Sequence, residues 1–459
     1  MIKIKIDGEI FFAEKGEKLS DILIRNNKSI SHPCGGRGVC RKCTVLVDGK
    51  SELSCQYKVA SDIEVIIPEK EEILSVTGTE ETCKLTENMC FCLDIGTTTL
   101  SLSLVSLDDK KIIKNITRTN PQISFGADVI TRIDYCTKND VSDLQKILLN
   151  EINRMTDCFG VSFVEKMYVS GNTTMLHILF GIDPSPLGVA PYSPVFLGKK
   201  TESFPEIRKV KEVTSLPSVS AFVGADLVAG LNYTPMPQEN KYNLLIDLGT
   251  NAEIILYSKD KFICTSAAAG PCFEGGNISC GMCAVDGAVF TYGKGVIKTI
   301  GNKIPKGICG TGLVDVMAEL LTQNVIDKTG FMECEEYEIA ENVSVTQDDV
   351  RQYQLAKSAV FSAVMTLLES KGISSDDIEK VYISGGFSAE LNISNAVKTG
   401  LIPEMLKDKC VPIHNSSLLG TVRYAVEEND LSAFTENAEY VNLSSDRCFS
   451  DLFMKNMMF

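Results

Sequence analysis

The sequence predicts a mixed chain: a small β-rich α+β domain, then a larger α/β unit built from two related halves. Three observations carry that prediction. Leu93-Asp94-Ile95-Gly96-Thr97-Thr98-Thr99 and Leu245-Ile246-Asp247-Leu248-Gly249-Thr250-Asn251 are each an apolar run reaching Asp, then Gly with hydroxyl or amide residues, then a second run of strand character. Each reads as a β-hairpin whose turn has the size of a phosphate. Lys166-Met167-Tyr168-Val169-Ser170-Gly171-Asn172-Thr173 and Lys380-Val381-Tyr382-Ile383-Ser384-Gly385-Gly386-Phe387 are apolar strands entering Ser-Gly turns, one after each hairpin. A hairpin and a strand–turn repeated in the same order mark a duplication. Ahead of both halves lies a glycine-rich loop carrying Cys34, Cys40 and Cys43, with Cys55 further on.

At 459 residues the chain is long enough for two or three domains, each with its own core. Its 44% hydrophobic and 23% charged residues are an ordinary soluble balance. No apolar run reaches the ~18 residues of a membrane span, and the first six residues alternate instead of forming a signal peptide. The expectation is a cytoplasmic protein with no membrane contact. A net charge of −15 argues against a nucleic-acid partner. In a cytoplasm the 17 cysteines would be reduced thiols or metal ligands, and with no Trp they fit an oxygen-poor, anaerobic setting.

Residues 1–68 read as the small domain. Strands at 3–6 and 9–13 meet at Asp7-Gly8, a hairpin signal; a short helix covers 19–26, and strands at 44–47 and 63–67 complete a sheet. The cysteine spacing is C-x5-C-x2-C-x11-C. Four thiolates, three of them from one glycine-rich loop, suit a [2Fe-2S] cluster held by Cys34, Cys40, Cys43 and Cys55, with loop N–H groups aimed at the sulfurs. Structural zinc usually takes two C-x2-C knuckles, and only one is present. The stretch resembles plant-type ferredoxin domains, which pack this loop on a β-grasp fold. It departs from them by one extra residue between the first two cysteines and a short gap to the fourth. The domain carries 11 Lys/Arg and 9 Asp/Glu, so the remainder holds −17. Arg37, Arg41 and Lys42 beside the loop form a basic rim, which either steers an acidic electron donor such as a ferredoxin or simply keeps the loop solvated.

Residues 69–90 are polar and acidic without periodicity and read as a linker. Cys83 falls within it, and Cys90 and Cys92 read as packing residues. The first half is expected over 91–235. Gly96, Thr97 and Thr98 offer backbone and hydroxyl donors to phosphate, and Asp94, at a strand end, is placed to hold Mg2+ through water. Gly171, Asn172 and Thr173 open a helix. Asp128 and Asp226 both stand at helix starts, where an acid either orients an attacking water or caps the helix; of the two, Asp226 is preferred as the water-orienting acid.

The second half is expected over 236–459, ending in an apolar tail that packs back. Asp247, Gly249, Thr250 and Asn251 repeat the phosphate turn. Gly310, Thr311 and Gly312 open a helix whose N-terminus suits phosphate. A long amphipathic helix is expected at about 348–370, with Thr346 and Asp349 as its capping box and Gly372 as its C-cap. It leads into Ser384, Gly385, Gly386 and Phe387, read as the adenosine-side turn. Cys272, Cys280, Cys283 and Cys309 share this half, where packing thiols are favoured over a second metal site. His32, His177 and His414 form no ligand-like group.

The doubled hairpin and Ser-Gly pattern resembles the superfamily of acetate and sugar kinases, heat-shock chaperones and actin (ASKHA), which implies ATP clamped between two lobes. The whole chain resembles the reductive activators of corrinoid proteins (RACo-type). The residues that carry the likeness are the cluster loop at 34–43, residues 94–99, Gly171-Asn172-Thr173-Thr174-Met175, residues 247–251, Phe273-Glu274-Gly275, Cys280-Gly281-Met282 and residues 384–387. That likeness implies a homodimer with a [2Fe-2S] cluster, ATP and Mg2+, returning Co(II) of a corrinoid-protein partner to Co(I). Longer relatives carry an extra domain before the first lobe, whereas here Asp94 follows the linker almost directly. On the residues alone, an electron-donating activator of another metalloenzyme and an ATP-binding redox sensor stay open as alternatives.

Overall fold

The computed structural model describes residues 1–26, 28, 43–67, 88–126, 128–386 and 388–459, with the backbone alone of 75–77. Cys34, Cys40, Cys83, Phe387, His32 and the basic rim lie outside the described residues. In the N-terminal part the strands are β1 (Ile2–Ile6), β2 (Glu9–Ala13), β3 (Thr44–Val47), β4 (Lys50–Leu53) and β5 (Ile63–Ile66), with helix α1 (Leu19–Arg25) between β2 and β3. Their order in the sheet is β2-β1-β5-β3-β4, two hairpins flanking a parallel β1–β5 pair. Strict alternation is what makes this sheet: Ile4 and Ile6, with Val45, Val47 and Val65, turn one face onto Leu19, Ile22 and Leu23 of α1.

The next sheet contains β6 (Ser75–Thr77), β7 (Met89–Ile95), β8 (Thr99–Ser106), β9 (Lys111–Thr119), β10 (Val164–Gly171), β11 (Lys200–Glu202) and β12 (Val210–Ser215). It is ordered β11-β12-β10-β7-β8-β9-β6. Its helices are α2 (Val129–Cys136), α3 (Ser142–Asp157) and α4 (Thr173–Leu179), followed by α5 (Ala225–Tyr233). The stretch read as linker is not free chain throughout, because Ser75–Thr77 pairs with the β9 edge and Met89 and Cys90 already belong to β7.

The second half begins with β13 (Tyr242–Leu248), β14 (Ala252–Tyr257) and β15 (Phe262–Ala267). A small sheet of β16 (Ala288–Gly293), β17 (Val296–Thr299) and β18 (Gly307–Ile308) follows, then α6 (Gly310–Thr322) and the hairpin β19 (Glu336–Ala340) and β20 (Val343–Thr346). The chain continues through α7 (Gln347–Lys371), β21 (Ile378–Ser384), α8 (Ile393–Lys398), β22 (Cys410–Pro412), α9 (Ser416–Glu427), α10 (Ser432–Asn437), β23 (Ala438–Tyr440) and α11 (Arg447–Lys455). The main sheet is ordered β22-β21-β13-β14-β15-β23. Its central run repeats β12-β10-β7-β8-β9 strand for strand, with the same parallel and antiparallel pairings. The duplication read from the motifs is therefore a duplication of topology. Helix α7 starts on the Thr346–Asp349 capping box and stops at left-handed Gly372.

One division differs from expectation. Helix α9 lies late in the chain, yet its Leu418, Tyr424 and Ala425 pack with β7 and β10 of the first sheet. Helix α5 shows the converse, burying Leu227, Val228 and Leu231 against Leu245, Ile255 and Tyr257 of the second. Each half thus contributes a helix to the other. The two cross at backbone contact, since a Cβ at Gly420 would lie 1.7 Å from the Ala229 carbonyl oxygen. A cut near residue 235 separates motifs but not packing units.

Candidate functional site: an acid-walled cleft between two hairpins

The turns β7–β8 and β13–β14 face one another across a cleft of about 940 Å³ that is open to solvent. Its walls include Asp94, Gly96, Thr97, Thr98, Asn172, Asp226, Asp247, Gly249, Thr250, Asn251, Gly310, Gly385 and Gly386. Residues far apart in sequence converge because each strand pair β7–β10 and β13–β21 is parallel and ends on the same side.

Five acids share the cleft. Asp94 ends β7 and accepts from Asn415 Nδ2 at 2.7 Å and Ser417 Oγ at 2.7 Å, both at the start of α9. Burial raises its pKa, and those hydrogen bonds oppose the rise. Asp247 ends β13 and is pushed to about 8 by burial and by the charges of Asp226, Asp94 and Glu274. Asp226, on the first turn of α5, is pushed to about 7 by burial and by Asp94. Glu253 is the cross-strand partner of Asp247 and is raised well above its ordinary value by burial and its acidic neighbours. Glu274 is raised by burial, against hydroxyl hydrogen bonds from Thr250 and Thr98 and the charge of Arg132.

Arg132 is fully buried on α2 and donates to the carbonyls of Thr97 (2.5 Å) and Gly126 (3.0 Å), bracing the first turn from behind. Desolvation lowers its pKa to about 9. The excess of carboxylates calls for a cation, and the donor set is hard oxygen, which suits Mg2+. Among the described residues no three His, Cys, Asp or Glu side chains converge as a direct ligand set.

Several expected site residues serve the scaffold instead. Asp128 is the N-cap of α2, in a reciprocal capping box with Thr131, and is not among the cleft walls. Its position before a helix suited capping all along. Thr173 Oγ1 is spent on the Ser220 carbonyl at 2.6 Å, and Ser384 Oγ accepts from Ser416 N at 3.0 Å. Gly171 and Gly312 are glycines of close approach, facing the Ile95 and Val289 carbonyl oxygens. Thr311 faces a neighbouring cavity of about 980 Å³ that shares Ala284 and Gly386 with the cleft and is also lined by Cys309, Glu390 and His414.

Four cleft residues were missed. Glu253 was readable: across a two-stranded hairpin it stands directly opposite Asp247, so the two acids share a face. Glu274 was visible only as part of a motif. Asn415 and Ser417 carry no local signal, because their role depends on α9 crossing to the first sheet.

At the N-terminal sheet, Cys43 and Cys55 are buried with their Sγ atoms 3.2 Å apart, and Gln56 Nε2 donates to Cys55 Sγ at 3.6 Å. Two thiols converging from different strand ends, with an N–H aimed at one sulfur, fit a shared metal centre. In the second half Cys272 and Cys309 are buried, while Cys280 and Cys283 are half-buried. His177 is a packing residue, hydrogen-bonded at both ring nitrogens and stacked on Phe196.

Two like-ordered sheets around an acid-walled cleft define a duplicated, two-lobe α/β protein. Residues 241–459 match the family model described as the C-terminal domain of RACo, the ASKHA domain, and residues 89–239 match the RACo middle region. The chain is 30% identical over 419 residues to the corrinoid activation enzyme RamQ of Eubacterium limosum, covering 80% of this chain and 69% of that one. It is 25% identical over 415 residues to the [Co(II) methylated amine-specific corrinoid protein] reductase of Methanosarcina barkeri, covering 79% and 75%. A solved reductive activator for corrinoid, iron-sulfur protein superposes with a TM-score of 0.76 at 25% identity, covering 100% of this chain and 98% of that one. This chain belongs to the RACo family. The middle region of the family is matched at 89–239, where the first half was expected, and the matches to the two curated relatives span 69% and 75% of their lengths.

Proposed function

We propose that the chain is an ATP-dependent reductive activator, passing one low-potential electron to Co(II) of a corrinoid protein and so regenerating Co(I). The observation that carries the reading is the union in one chain of a paired-thiol site, Cys43 and Cys55, with a two-hairpin cleft. The corrinoid activity named for its relatives supports it. The N-terminal part is read as a β-grasp, ferredoxin-like domain, and Cys34 and Cys40 complete the ligand set with Cys43 and Cys55. When bound there, a [2Fe-2S] cluster supplies single electrons near roughly −400 mV.

The cleft is read as the site of Mg-ATP. The turns at 96–98 and 249–251 hold its phosphates, Gly385 and Gly386 border its ribose side, and the adjoining cavity by Thr311 and His414 takes the base. Asp94, fixed by Asn415 and Ser417, orients water of the Mg2+ shell, while Asp247 faces it from the other lobe. Asp226 is the acid that positions the attacking water. Hydrolysis transfers the terminal phosphoryl group to water, giving ADP and phosphate, while the electron passes separately to cobalt and the oxidised site is refilled by a ferredoxin-type donor. Coupling requires that lobe arrangement set partner affinity. A homodimer in the cytoplasm of an anaerobe completes the reading.

The test is ATP hydrolysis by the whole chain in the presence of Mg2+. Asp247→Asn removes charge with little change of shape and is expected to lower the rate about 100-fold or more. Parental rates in both Asp94→Asn and Asp247→Asn would refute the clamp.

A further inference from the structure

Resting on the nucleotide reading above, we infer that Glu274 reads the terminal phosphate of ATP: its carboxylate stands in that phosphate's place between the two hairpins and is displaced when a triphosphate binds. Both turns are built to present donors to an anion. In this structure a hydroxyl from each turn meets one carboxylate oxygen, because Thr98 Oγ1 donates to Glu274 Oε2 at 2.9 Å and Thr250 Oγ1 donates to the same atom. Thr98 belongs to the first lobe and Thr250 to the second, so a single anion ties the lobes together. The other carboxylate oxygen, Oε1, lies 3.9 Å from where a Cβ on Gly249 would sit, over the glycine of the second turn.

The carboxylate is held there by a short, stiff support. Glu274 ends the 3-10 turn Pro271–Glu274, which has Pro at its start and a left-handed Gly275 after it. Phe273 beside it is buried edge-on against Tyr353 of α7, with ring centroids 5.9 Å apart. Two of the other acids are occupied elsewhere. Asp94 takes its hydrogen bonds from Asn415, Ser417 and Ser170, and Asp226 accepts from Leu227 N. Among the described residues, no other acid of the cleft accepts a hydroxyl from either turn.

A terminal phosphate must take the two hydroxyls from Glu274 and stand against its negative charge. A diphosphate ends short of the bridge and leaves it intact. Once hydrolysis has released phosphate, the carboxylate reclaims both hydroxyls. Glu274 thereby sets the difference in affinity between ATP and ADP, and it switches the inter-lobe contact from a side chain to the nucleotide.

The experiment is titration calorimetry of the full chain with Mg2+, ADP and a non-hydrolysable ATP analogue, comparing the parent with Glu274→Gln and Glu274→Ala. Gln keeps the shape and an acceptor oxygen but removes the charge. Both variants are expected to bind the ATP analogue about tenfold more tightly, the scale of one removed like charge, with ADP affinity unchanged. Weaker binding of the analogue, or an equal change for both nucleotides, overturns the inference and leaves Glu274 a structural support. ADP affinity and the melting temperature report whether Glu274→Ala still folds. A parent that binds neither nucleotide would instead overturn the nucleotide reading itself, a result visible before any variant is made.

Discussion

At the scale of single residues, the cleft is an arrangement of acids that cannot all ionise comfortably. Asp226 and Asp247, near 7 and 8, hold protons in the folded chain at pH values where the unfolded chain has lost them. Folding stability therefore falls as pH rises toward 8. His177 is lowered by burial, so its titration acts below 6.5 and leaves this window clear. Without Mg2+ or nucleotide, urea unfolding is expected to show a loss of about 1–2 kcal/mol between pH 6.5 and 8. Asp247→Asn should flatten that slope, and added Mg2+ should flatten it too; a slope of opposite sign would contradict the picture. For the thiol pair, Cys55→Ala is expected to abolish visible absorbance and the reduced-state EPR signal, and a normal signal in that variant would remove Cys55 from the ligand set. The legible residues were those whose chemistry is local: Asp94 and Asp247 end strands, and the turn glycines and threonines follow them. Asp128 misled because an acid before a helix is as ready to cap as to catalyse, and only the Thr131 hydrogen bonds decide between them.

At the scale of elements, the capping box at Thr346, the C-cap at Gly372 and the two hairpins were readable because their signals lie within a few residues. The crossing of α5 and α9 was not, since it depends on Gly420 and Ala229, about 190 positions apart, meeting in space. That crossing also fixes the site, because α9 delivers Asn415 and Ser417 to Asp94. Gly420→Ala would press a methyl into the Ala229 carbonyl and is expected to cost about 1–3 kcal/mol of stability. Because the same helix positions Asp94, hydrolysis should fall alongside stability, and urea melts paired with ATPase rates check both. A fully active and fully stable Gly420→Ala protein would mean that the helices can separate without consequence.

At the scale of the whole molecule, neither part suffices for the proposed task. On the proposed reading, a cluster at the thiol site alone would only equilibrate electrons with an acceptor, and the cleft alone would only turn over nucleotide. Joining them in one chain allows hydrolysis to alter which partner arrangement is bound while an electron is in transit. The doubling of topology was visible in sequence because each copy kept its Asp-x-Gly-Thr turn and Ser-Gly partner, whereas the exchange of helices between halves leaves no mark in either copy. The most direct measurement is to mix the reduced protein with the Co(II) form of a corrinoid protein and follow the Co(I) absorption band. The account predicts that the band appears with Mg-ATP, and that it fails without ATP, in Asp247→Asn and in Cys55→Ala. Full-rate Co(I) formation without ATP, or no Co(I) from any corrinoid protein despite an intact cluster and ATPase, would contradict it.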